Sequence, residues 1–407
     1  MYQSRKKVFI VNGKRTPIAN FGQSLRSVNV EDLAGHAFLS AIEASGIEAG
    51  LIEGIYLGHG YQSPYAPNTA RVAQLNYGLP ADIPAATVQR QCGSGMEAIA
   101  LAVNQILLNG AGFMLAGGAE SLSTVPYLIP GSLRWKGLVA RYMKLARLGP
   151  RPSFFYLADN GLAPLHMIKD MKTYYMGGTA QRLADTYKIS RQEADAYALR
   201  SQELAANAIA DGFMEGEISP VLVPGRGLFS VDEHPRKTSL EKLAGLKPAL
   251  GTRDVTAGNS SGLNDAACAL VLASEDMVRD YDLTVLSEIV DVVVVGVEPE
   301  QMGLGPVEAI KALLKRTGLS LSQIGRIEVN EAFAAQYLAC EKLLGLNREI
   351  VNVNGGAIAL GHPIGMTGAR LPLTLSREMQ RSDVEYGIAS LCIGGGMGYA
   401  MLLRRTW

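Results

Sequence analysis

Two cysteines and one histidine lie in glycine-rich stretches that are far apart along the chain, at Cys92, Cys392 and His362. A cysteine thiol is a candidate nucleophile and an imidazole is a candidate base. The glycines beside them let a ligand or another backbone come close, at an entropic cost that a merely structural loop would avoid. These residues are therefore the first candidates for catalysis.

His362 stands between Gly361 and Pro363 in the stretch NGGAIALGHPIGMTGAR, which starts at Asn354. A residue before proline is restricted to extended geometry, and proline suits the first position of a helix. We therefore expect His362 on a rigid turn that leads from a strand into a helix. The alternative is a tightly packed loop that holds a hydrogen-bonded core histidine.

Cys92 directly precedes a Gly-Ser-Gly turn and a helix that is apolar on nearly every side, which predicts a buried central helix. The positive end of the helix dipole favours thiolate over thiol. The glycines predict a nucleophile on a sharp turn, and a small buried hydrophobe is the alternative.

Cys392 follows a buried strand predicted over Tyr386 to Leu391 and opens a glycine turn that includes Gly394. Consecutive backbone N–H groups in such a turn can hold an oxyanion. A phosphate loop is disfavoured because its lysine and hydroxyl residues are missing. Cys268 and Cys340 lack such a setting and are predicted to be packing residues.

Asn330 follows a predicted strand over Ile327 to Val329 and opens the short sequence NEAF. An uncharged amide at a strand end can position a water molecule or a carbonyl group. A turn-forming asparagine is an equally good interpretation.

The chain has 407 residues, of which 48% are hydrophobic, and no net charge. The length is ample for a large core. The balanced charge argues against a nucleic-acid partner. No apolar run approaches the length of a membrane span, and the four cysteines are widely separated. We therefore expect a cytoplasmic protein from a reducing compartment, without disulfides or a cysteine-bound metal.

Weak internal similarity predicts two related α/β halves. The segment that begins at Gly46 aligns with the one that begins at Gly318, and the strand over Val8 to Val11 has a counterpart in Glu288 to Gly296. The predicted N-terminal half comprises residues 1–122 and 252–280. Residues 123–251 form an inserted loop domain, and 281–407 form the C-terminal half.

The inserted region contains a helix with Ser190 as N-cap, Glu193 as its capping-box partner and Gly212 at its end. A solvated helix face is the favoured interpretation of the basic, aromatic stretch before it, over 131–155. A membrane-surface contact or a docking face for a partner protein is the alternative. Its basic residues are Arg134, Lys136, Arg141, Lys144, Arg147 and Arg151.

Together these segments resemble the thiolase family. RQCGSGMEAI resembles its nucleophile signature, NVNGGAIALGHPIGMTGAR its histidine signature, and SLCIGGGMG its second-cysteine signature, while VTAGNSSGLND and NEAF complete the set. The resemblance extends from Val8 to the carboxyl end. It implies a five-layered αβαβα fold of two similar halves with an inserted loop domain, assembled as a dimer or tetramer. It also implies thiolytic cleavage of 3-ketoacyl coenzyme A (CoA) or the reverse Claisen condensation.

The resemblance implies a role for each candidate residue. Cys92 would accept the acyl group, and His362 would take its proton and steady its thiolate. Cys392 would be the second acid or base. His362 and a water held by Asn330 would form one oxyanion hole, and the backbone N–H groups of Cys92 and Gly394 the other. Coenzyme A would be a substrate, and no metal or redox cofactor is implied.

Four further residues match substrate contacts of the family. Ser261 matches a serine that touches the pantetheine arm of coenzyme A. Met176, Met302 and Phe333 match apolar positions beside the acyl and pantetheine groups.

The resemblance leaves acyl-chain length open. Many short-chain biosynthetic thiolases have histidine where Tyr175 stands, and the long basic segment resembles thiolases of fatty-acid β-oxidation that pair with a multifunctional subunit. That branch often has histidine in place of Asn330. We expect a β-oxidation thiolase, with a biosynthetic acetoacetyl-CoA-forming acetyltransferase as the alternative. A ketoacyl synthase-type enzyme is disfavoured because it lacks the base Cys392, and an inactive coenzyme A-binding scaffold is disfavoured because Cys92 and His362 are present too.

Overall fold

The computed structural model describes residues 6–126, 176–249 and 251–406. Three sequence predictions therefore fall outside the described residues. They concern the basic stretch over 131–155, the departure from the family pattern at Tyr175, and the rest of residues 127–175 in the predicted inserted region. No helix in the described ranges has the length and apolar character needed to cross a bilayer.

The described strands and helices alternate along much of the chain. The strands are β1 Val8–Arg15, β2 Ala19–Asn20, β3 Ile52–His59, β4 Ala85–Val88, β5 Phe113–Ser121, β6 Val221–Val223, β7 Gly227–Phe229, β8 Asn264–Ser274, β9 Ser287–Gly296, β10 Arg326–Val329, β11 Tyr386–Ile393 and β12 Met397–Arg404. The helices are α1 Val30–Ser45, α2 Thr69–Asn76, α3 Ser94–Asn109, α4 Met176–Tyr187, α5 Arg191–Ala210, α6 Leu240–Ala244, α7 Glu275–Asp280, α8 Gly305–Thr317, α9 Ala334–Leu344, α10 Ala357–Leu360 and α11 Ile364–Arg381.

The main sheet has the strand order β10-β11-β12-β9-β1-β8-β5-β3-β4. The strands β3, β4 and β5 pair in parallel, as do β10 and β11, while β8, β9 and β12 pair in antiparallel fashion with their neighbours. A short antiparallel contact between β1 and β9 joins the two halves of the sheet.

Three hydrophobic clusters define the layers. One cluster packs α1 and α2 against the outer face of β3, β5 and β8. The middle cluster packs α3 and α11 between the two halves of the sheet. The third packs α8 and α9 against β10, β11 and β12. Helices and sheets therefore alternate in five layers, and the predicted α/β fold class is confirmed.

Buried ion pairs join the predicted inserted region to strand β1. Arg15 on β1 is fully buried and donates hydrogen bonds to Glu217 at 2.7 Å and to Asp232 at 2.7 and 2.8 Å. A buried guanidinium is costly unless carboxylates neutralise it. The pairing therefore holds residues 217–232 against the N-terminal strand.

Helix α5 has the capping signals that its sequence predicts. The Ser190 hydroxyl accepts from the Glu193 N–H, and the Glu193 carboxylate accepts from the Ser190 N–H. The helix ends before Gly212, whose φ of +73° is in the left-handed region that favours glycine. Its buried face, which includes Tyr197 and Ser201, packs towards the C-terminal half.

Candidate active site

Cys92 lies on a strained turn immediately before α3. Gln91 adopts a φ of 47°, a left-handed conformation that is uncommon for a residue other than glycine. The Ser94 hydroxyl donates to the Gln91 carbonyl at 2.7 Å and accepts from the Arg90 N–H at 2.9 Å. These bonds hold the turn, so the sharp geometry expected around a nucleophile is present.

Helix α3 is buried over its first turns but not along its whole length. Met96 and Ile99 are fully buried, whereas the Leu108 side chain is 78% exposed. The prediction of a buried central helix is therefore wrong for its last turn, where Leu107 and Leu108 are exposed.

The Cys92 thiol is protonated at rest, contrary to the expectation of a thiolate. Burial raises the pKa of Cys92 to about 11, although hydrogen bonds from the backbone N–H groups of Gly394 and of Cys92 itself act in the opposite direction. The negative charge of Glu120 raises it further. Desolvation of the charged form thus outweighs the two backbone N–H groups that favour the thiolate.

His362 lies on a turn between two helices, so the predicted strand-to-helix turn is wrong. The preceding segment forms the short helix α10, and Gly361, with a φ of +102°, reverses the chain before His362. Pro363 is the N-cap of α11 rather than its first helical residue. The His362 N–H donates to the Asn264 side-chain oxygen at 2.9 Å, which fixes the turn.

Hydrogen bonds determine which nitrogen of His362 carries the proton. The Thr367 hydroxyl donates to the Pro363 carbonyl at 2.8 Å, so its oxygen is left to accept from His362 Nδ1–H, 2.7 Å away. The opposite arrangement would make one hydrogen bond fewer and would bury an Nε2–H without an acceptor. Nε2 has no hydrogen-bond partner among the described residues, so it presents a free lone pair.

The His362 ring is neutral at physiological pH. Burial, and then the charge of Arg370, lower the pKa of His362 to about 4. A neutral imidazole with a free Nε2 lone pair can accept a thiol proton. After accepting that proton it would have an Nε2–H to donate to a developing negative charge.

Cys392 lies inside β11, which continues to Ile393, so the predicted end of the strand at Leu391 is two residues too early. Cys392 pairs with Gly398 on β12, and the glycine turn begins only at Gly394. Burial, and then the charge of a Cys92 thiolate, raise the pKa of Cys392 well above its ordinary value. A protonated thiol at this position can give a proton to a carbanion.

Close glycine contacts bring the first turns of α3 and α11 together. A Cβ atom added to Gly95 would lie 2.8 Å from the Ala369 nitrogen and 2.9 Å from the Gly365 oxygen. A Cβ added to Gly368 would lie 2.5 Å from the Met96 nitrogen. Cys92 and His362 stand just before these two helices, so the packing places them at the same end of the central layer.

The glycine turn after β11 closes the same region. The Gly394 N–H lies close enough to the Cys92 thiol to lower its pKa, and a charge on Cys92 raises the pKa of Cys392. The structure thus brings Cys92 close to Cys392 and Gly394, which lie about 300 residues further along the chain. Their catalytic roles stay predictions.

Asn330 presents an unpaired side-chain amide in the C-terminal half. Its backbone N–H donates to the Ser390 carbonyl at 2.9 Å, two residues before Cys392. The residue is fully buried, and neither its amide nitrogen nor its amide oxygen has a hydrogen-bond partner among the described residues. A buried amide without partners is costly, which marks Asn330 as reserved for a ligand or water.

The predicted substrate contacts gather around Cys392. Met302, Phe333 and Cys392 belong to one small hydrophobic cluster, and the partly buried Met176 packs against it. The Ser261 N–H and hydroxyl both donate to the Ala332 carbonyl, at 3.0 and 3.1 Å. Ser261 is therefore beside this cluster, in a loop that pairs with the segment before α9.

Sequence reasoning missed Glu120, a buried carboxylate whose charge acts on Cys92. Its oxygens accept from the N–H groups of Gly60, Tyr61 and Gly365 at 2.9 to 3.2 Å, and His59 Nε2 lies 3.3 Å away. It thus ties the end of β3 to the start of α11. The available signal was a single acidic residue at the end of the apolar run FMLAGGAES.

Two family descriptions match nearly the whole chain. The thiolase N-terminal domain matches residues 8–276, and the thiolase C-terminal domain matches residues 283–405. The chain belongs to the thiolase family. The resemblance inferred from the sequence motifs is therefore confirmed.

The named relatives align with this chain over nearly its full length and over nearly the full length of their own. An acetyl-CoA acetyltransferase of Syntrophomonas wolfei is 39% identical over 98% of this thiolase chain and 99% of its own. The mitochondrial 3-ketoacyl-CoA thiolase of Bos taurus is also 39% identical, over 98% of each chain. The crystal structure of the Bacillus anthracis acetyl-CoA acetyltransferase has a TM-score of 0.90 and 41% identity over 99% of this chain and 100% of that chain. These relatives are acyltransferases by name, so the predicted enzyme class is confirmed at the level of the family.

Proposed function

We propose that this thiolase cleaves 3-ketoacyl-CoA with coenzyme A through an acyl group held on Cys92, and that the reverse condensation of acetyl-CoA uses the same site. The proposed setting is fatty-acid β-oxidation. The alternative is a biosynthetic acetoacetyl-CoA-forming acetyltransferase. The names of the relatives include both an acetyltransferase and a 3-ketoacyl-CoA thiolase.

In the first half of the proposed reaction, His362 Nε2 takes the Cys92 thiol proton, and the sulfur attacks the 3-keto carbon. The bond between C2 and C3 then breaks, and its electron pair passes to C2 to form the enolate of acetyl-CoA. The Cys392 thiol gives its proton to C2, and acetyl-CoA leaves. This order uses the protonated states of Cys92 and Cys392 and the neutral ring of His362.

In the second half, the thiol of coenzyme A gives its proton to the Cys392 thiolate and attacks the acyl group on Cys92. The bond from the acyl carbon to Cys92 breaks, and the Cys92 sulfur recovers its proton from His362. The product is an acyl-CoA shortened by an acetyl unit. Protons and electrons balance without a metal or redox group, so coenzyme A enters as a substrate.

Two oxyanion sites support these steps. The backbone N–H groups of Gly394 and Cys92 lower the pKa of the Cys92 thiol, so they lie beside the sulfur that would carry the acyl group, and we assign them to the tetrahedral intermediates. His362 Nε2 and a water held by the unpaired amide of Asn330 suit the enolate. Each preorganised donor is typically worth about 3–4 kcal/mol of the barrier.

The association of Cys92, Cys392 and Gly394 beside the apolar cluster of Met302 and Phe333 supports the proposal best. A ketoacyl synthase-type enzyme has no use for the second thiol. An inactive coenzyme A-binding scaffold has no use for a half-buried thiol at Cys92 whose charge acts on a second, buried thiol at Cys392.

Three further parts of the proposal concern the setting of the enzyme. We propose a homodimer or homotetramer, as the family resemblance implies. The basic stretch over 131–155 is proposed as a contact for a multifunctional β-oxidation subunit or a membrane surface. A cytoplasmic location is supported by the four free cysteines at Cys92, Cys268, Cys340 and Cys392.

A thiolysis assay tests the function. The purified protein is mixed with coenzyme A and 3-ketoacyl-CoA substrates of short, medium and long chain, and loss of the magnesium-complexed substrate is followed by ultraviolet absorbance. Highest kcat/KM on medium or long chains supports the β-oxidation role, and highest kcat/KM on acetoacetyl-CoA supports the biosynthetic alternative. No turnover with any chain length would overturn the proposed activity.

A further inference from the structure

Glu331 follows Asn330 in the chain and is saturated by hydrogen-bond donors. One carboxylate oxygen accepts from the Tyr197 hydroxyl at 2.7 Å and from the Asn352 amide at 3.0 Å. The other accepts from the Ser201 hydroxyl at 2.6 Å and from the Ile358 N–H at 3.1 Å. Glu331 is completely buried, so these four bonds compensate for the desolvation of its charge.

Val329, which precedes Asn330 in the chain, is hydrogen-bonded to the side chain of Asn352. The Asn352 side chain accepts from the Val329 N–H and donates to the Val329 carbonyl, both at 2.9 Å. Asn352 itself has a φ of 48°, an uncommon conformation for a residue other than glycine. Hydrogen bonds from one connected network therefore fix both neighbours of Asn330, while its own amide has no partner among the described residues.

Helix α5, which belongs to the inserted region, supplies half of the donors to Glu331. Tyr197 and Ser201 lie one turn apart on its buried face. The Ser201 hydroxyl also accepts from the Gly356 N–H at 3.1 Å, and Gln202 donates to the Ile358 carbonyl at 3.2 Å. The same face thus contacts the segment that leads to His362.

We propose that Glu331 is a positioning residue that, with Tyr197 and Asn352, holds the unpaired amide of Asn330 in place for the enolate. The inference rests on the proposed function. It assigns to helix α5 of the inserted region a part in carbanion stabilisation, although α5 supplies no group that touches the substrate.

This assignment separates two steps of the reaction. Acylation of Cys92 uses the N–H groups of Cys92 and Gly394, which lie outside the network of Glu331. Enolate formation uses Asn330. Loosening Glu331 should therefore slow proton exchange at C2 of acetyl-CoA much more than it slows acylation of Cys92.

Tyr197→Phe is the most conservative test. It removes the hydroxyl that bonds to Glu331 and keeps the ring, which stacks on Tyr337 with centroids 4.1 Å apart. Tyr337→Phe is the matched control, because it removes the other hydroxyl of the same stacked pair, on α9. Glu331→Gln is the stronger variant. In either orientation of the glutamine amide, its NH2 group faces another donor, either the Ile358 N–H or the Asn352 NH2 group, and one hydrogen bond is lost.

Two rates are measured in each purified variant. The first is acetyl transfer from acetyl-CoA to Cys92, followed by mass spectrometry. The second is exchange of the acetyl-CoA methyl protons in deuterium oxide, followed by NMR. For Tyr197→Phe we expect roughly a tenfold slower exchange, acetylation within twofold of the parent and an unchanged KM for coenzyme A. Tyr337→Phe should leave both rates unchanged, and Glu331→Gln should slow exchange further.

Parent-like exchange in both Tyr197→Phe and Glu331→Gln would overturn the inference. Equal losses of acetylation and exchange in Tyr197→Phe would also overturn it, because they would indicate general damage to the fold. Failure of the proposed function gives a different result, namely a parent protein that neither becomes acetylated nor exchanges protons.

Discussion

At the scale of single residues, burial determines how Cys92 is activated. Burial raises the pKa of the thiol to about 11 and lowers that of His362 to about 4. The resting pair is thus a thiol and a neutral imidazole, not a preformed ion pair. In the proposed reaction, proton transfer to Nε2 would therefore accompany attack on the substrate, and the resting thiol would react slowly with alkylating agents.

The pH dependence of alkylation tests this resting state. Because only the thiolate reacts, the rate of Cys92 alkylation by iodoacetamide should rise about tenfold per pH unit from pH 7 to 10. Glu120→Gln removes a negative charge that raises the pKa of Cys92, so its curve should move to lower pH. Cys92→Ala gives the background rate. A parent rate that is already constant above pH 7 would contradict the account.

Thr367 provides a second test at this scale, because it selects the proton position on His362. Thr367→Val keeps the shape but cannot accept from Nδ1–H, whereas Thr367→Ser keeps the hydroxyl. Loss of one buried hydrogen bond costs about 1–3 kcal/mol, so thiolysis kcat should fall roughly 5- to 150-fold in the valine variant and little in the serine variant. Equal kcat in the two variants would argue against the proton assignment.

At the scale of elements, the distance between α3 and α11 is set by glycine. Backbone atoms of Gly365 and Ala369 occupy the space where a Cβ of Gly95 would lie. A side chain at position 95 must therefore push apart α3 and α11, the two helices that Cys92 and His362 precede. Close backbone packing, rather than helix propensity, therefore explains the glycines in this layer.

Gly95→Ala tests this explanation. Alanine in a helix is intrinsically favoured over glycine by about 1 kcal/mol, so propensity alone predicts a more stable protein. Steric contact predicts the opposite, namely a lower melting temperature and loss of most thiolysis activity. Gly50→Ala is the control, since nothing lies within 4 Å of its added Cβ. A Gly95→Ala protein as active and stable as Gly50→Ala would refute close packing.

Elements with strong local signals could be predicted from the sequence. The capping box at Ser190 and the buried strand at Val8 are examples, because their signals lie within a few residues. The turn at His362 could not, because the short helix α10 before it depends on contacts with Glu331 and Ser201 from elsewhere in the chain. The family motifs identified the candidate residues, whereas Glu120 acts through partners that only the fold brings close. Thr367 acts on His362 from five residues away, through the first turn of α11.

At the scale of the whole molecule, the candidate site lies where the two halves meet. Cys92 comes from the N-terminal half, and His362, Asn330 and Cys392 come from the C-terminal half. The middle hydrophobic cluster, which contains α3 and α11, joins them. From the predicted inserted region, Tyr197 on α5 bonds to Glu331, and Met176 packs against the apolar cluster. The proposed chemistry therefore depends on the complete fold.

Trapping of the acyl group tests the central claim most directly. The protein is mixed with acetyl-CoA without free coenzyme A, quenched with acid, digested and mapped by mass spectrometry. The account predicts one acetyl group on Cys92, its loss in Cys92→Ala, and its retention in Cys392→Ser together with loss of most thiolysis turnover. An acetyl group that persists in Cys92→Ala, or full turnover by Cys392→Ser, would contradict the account.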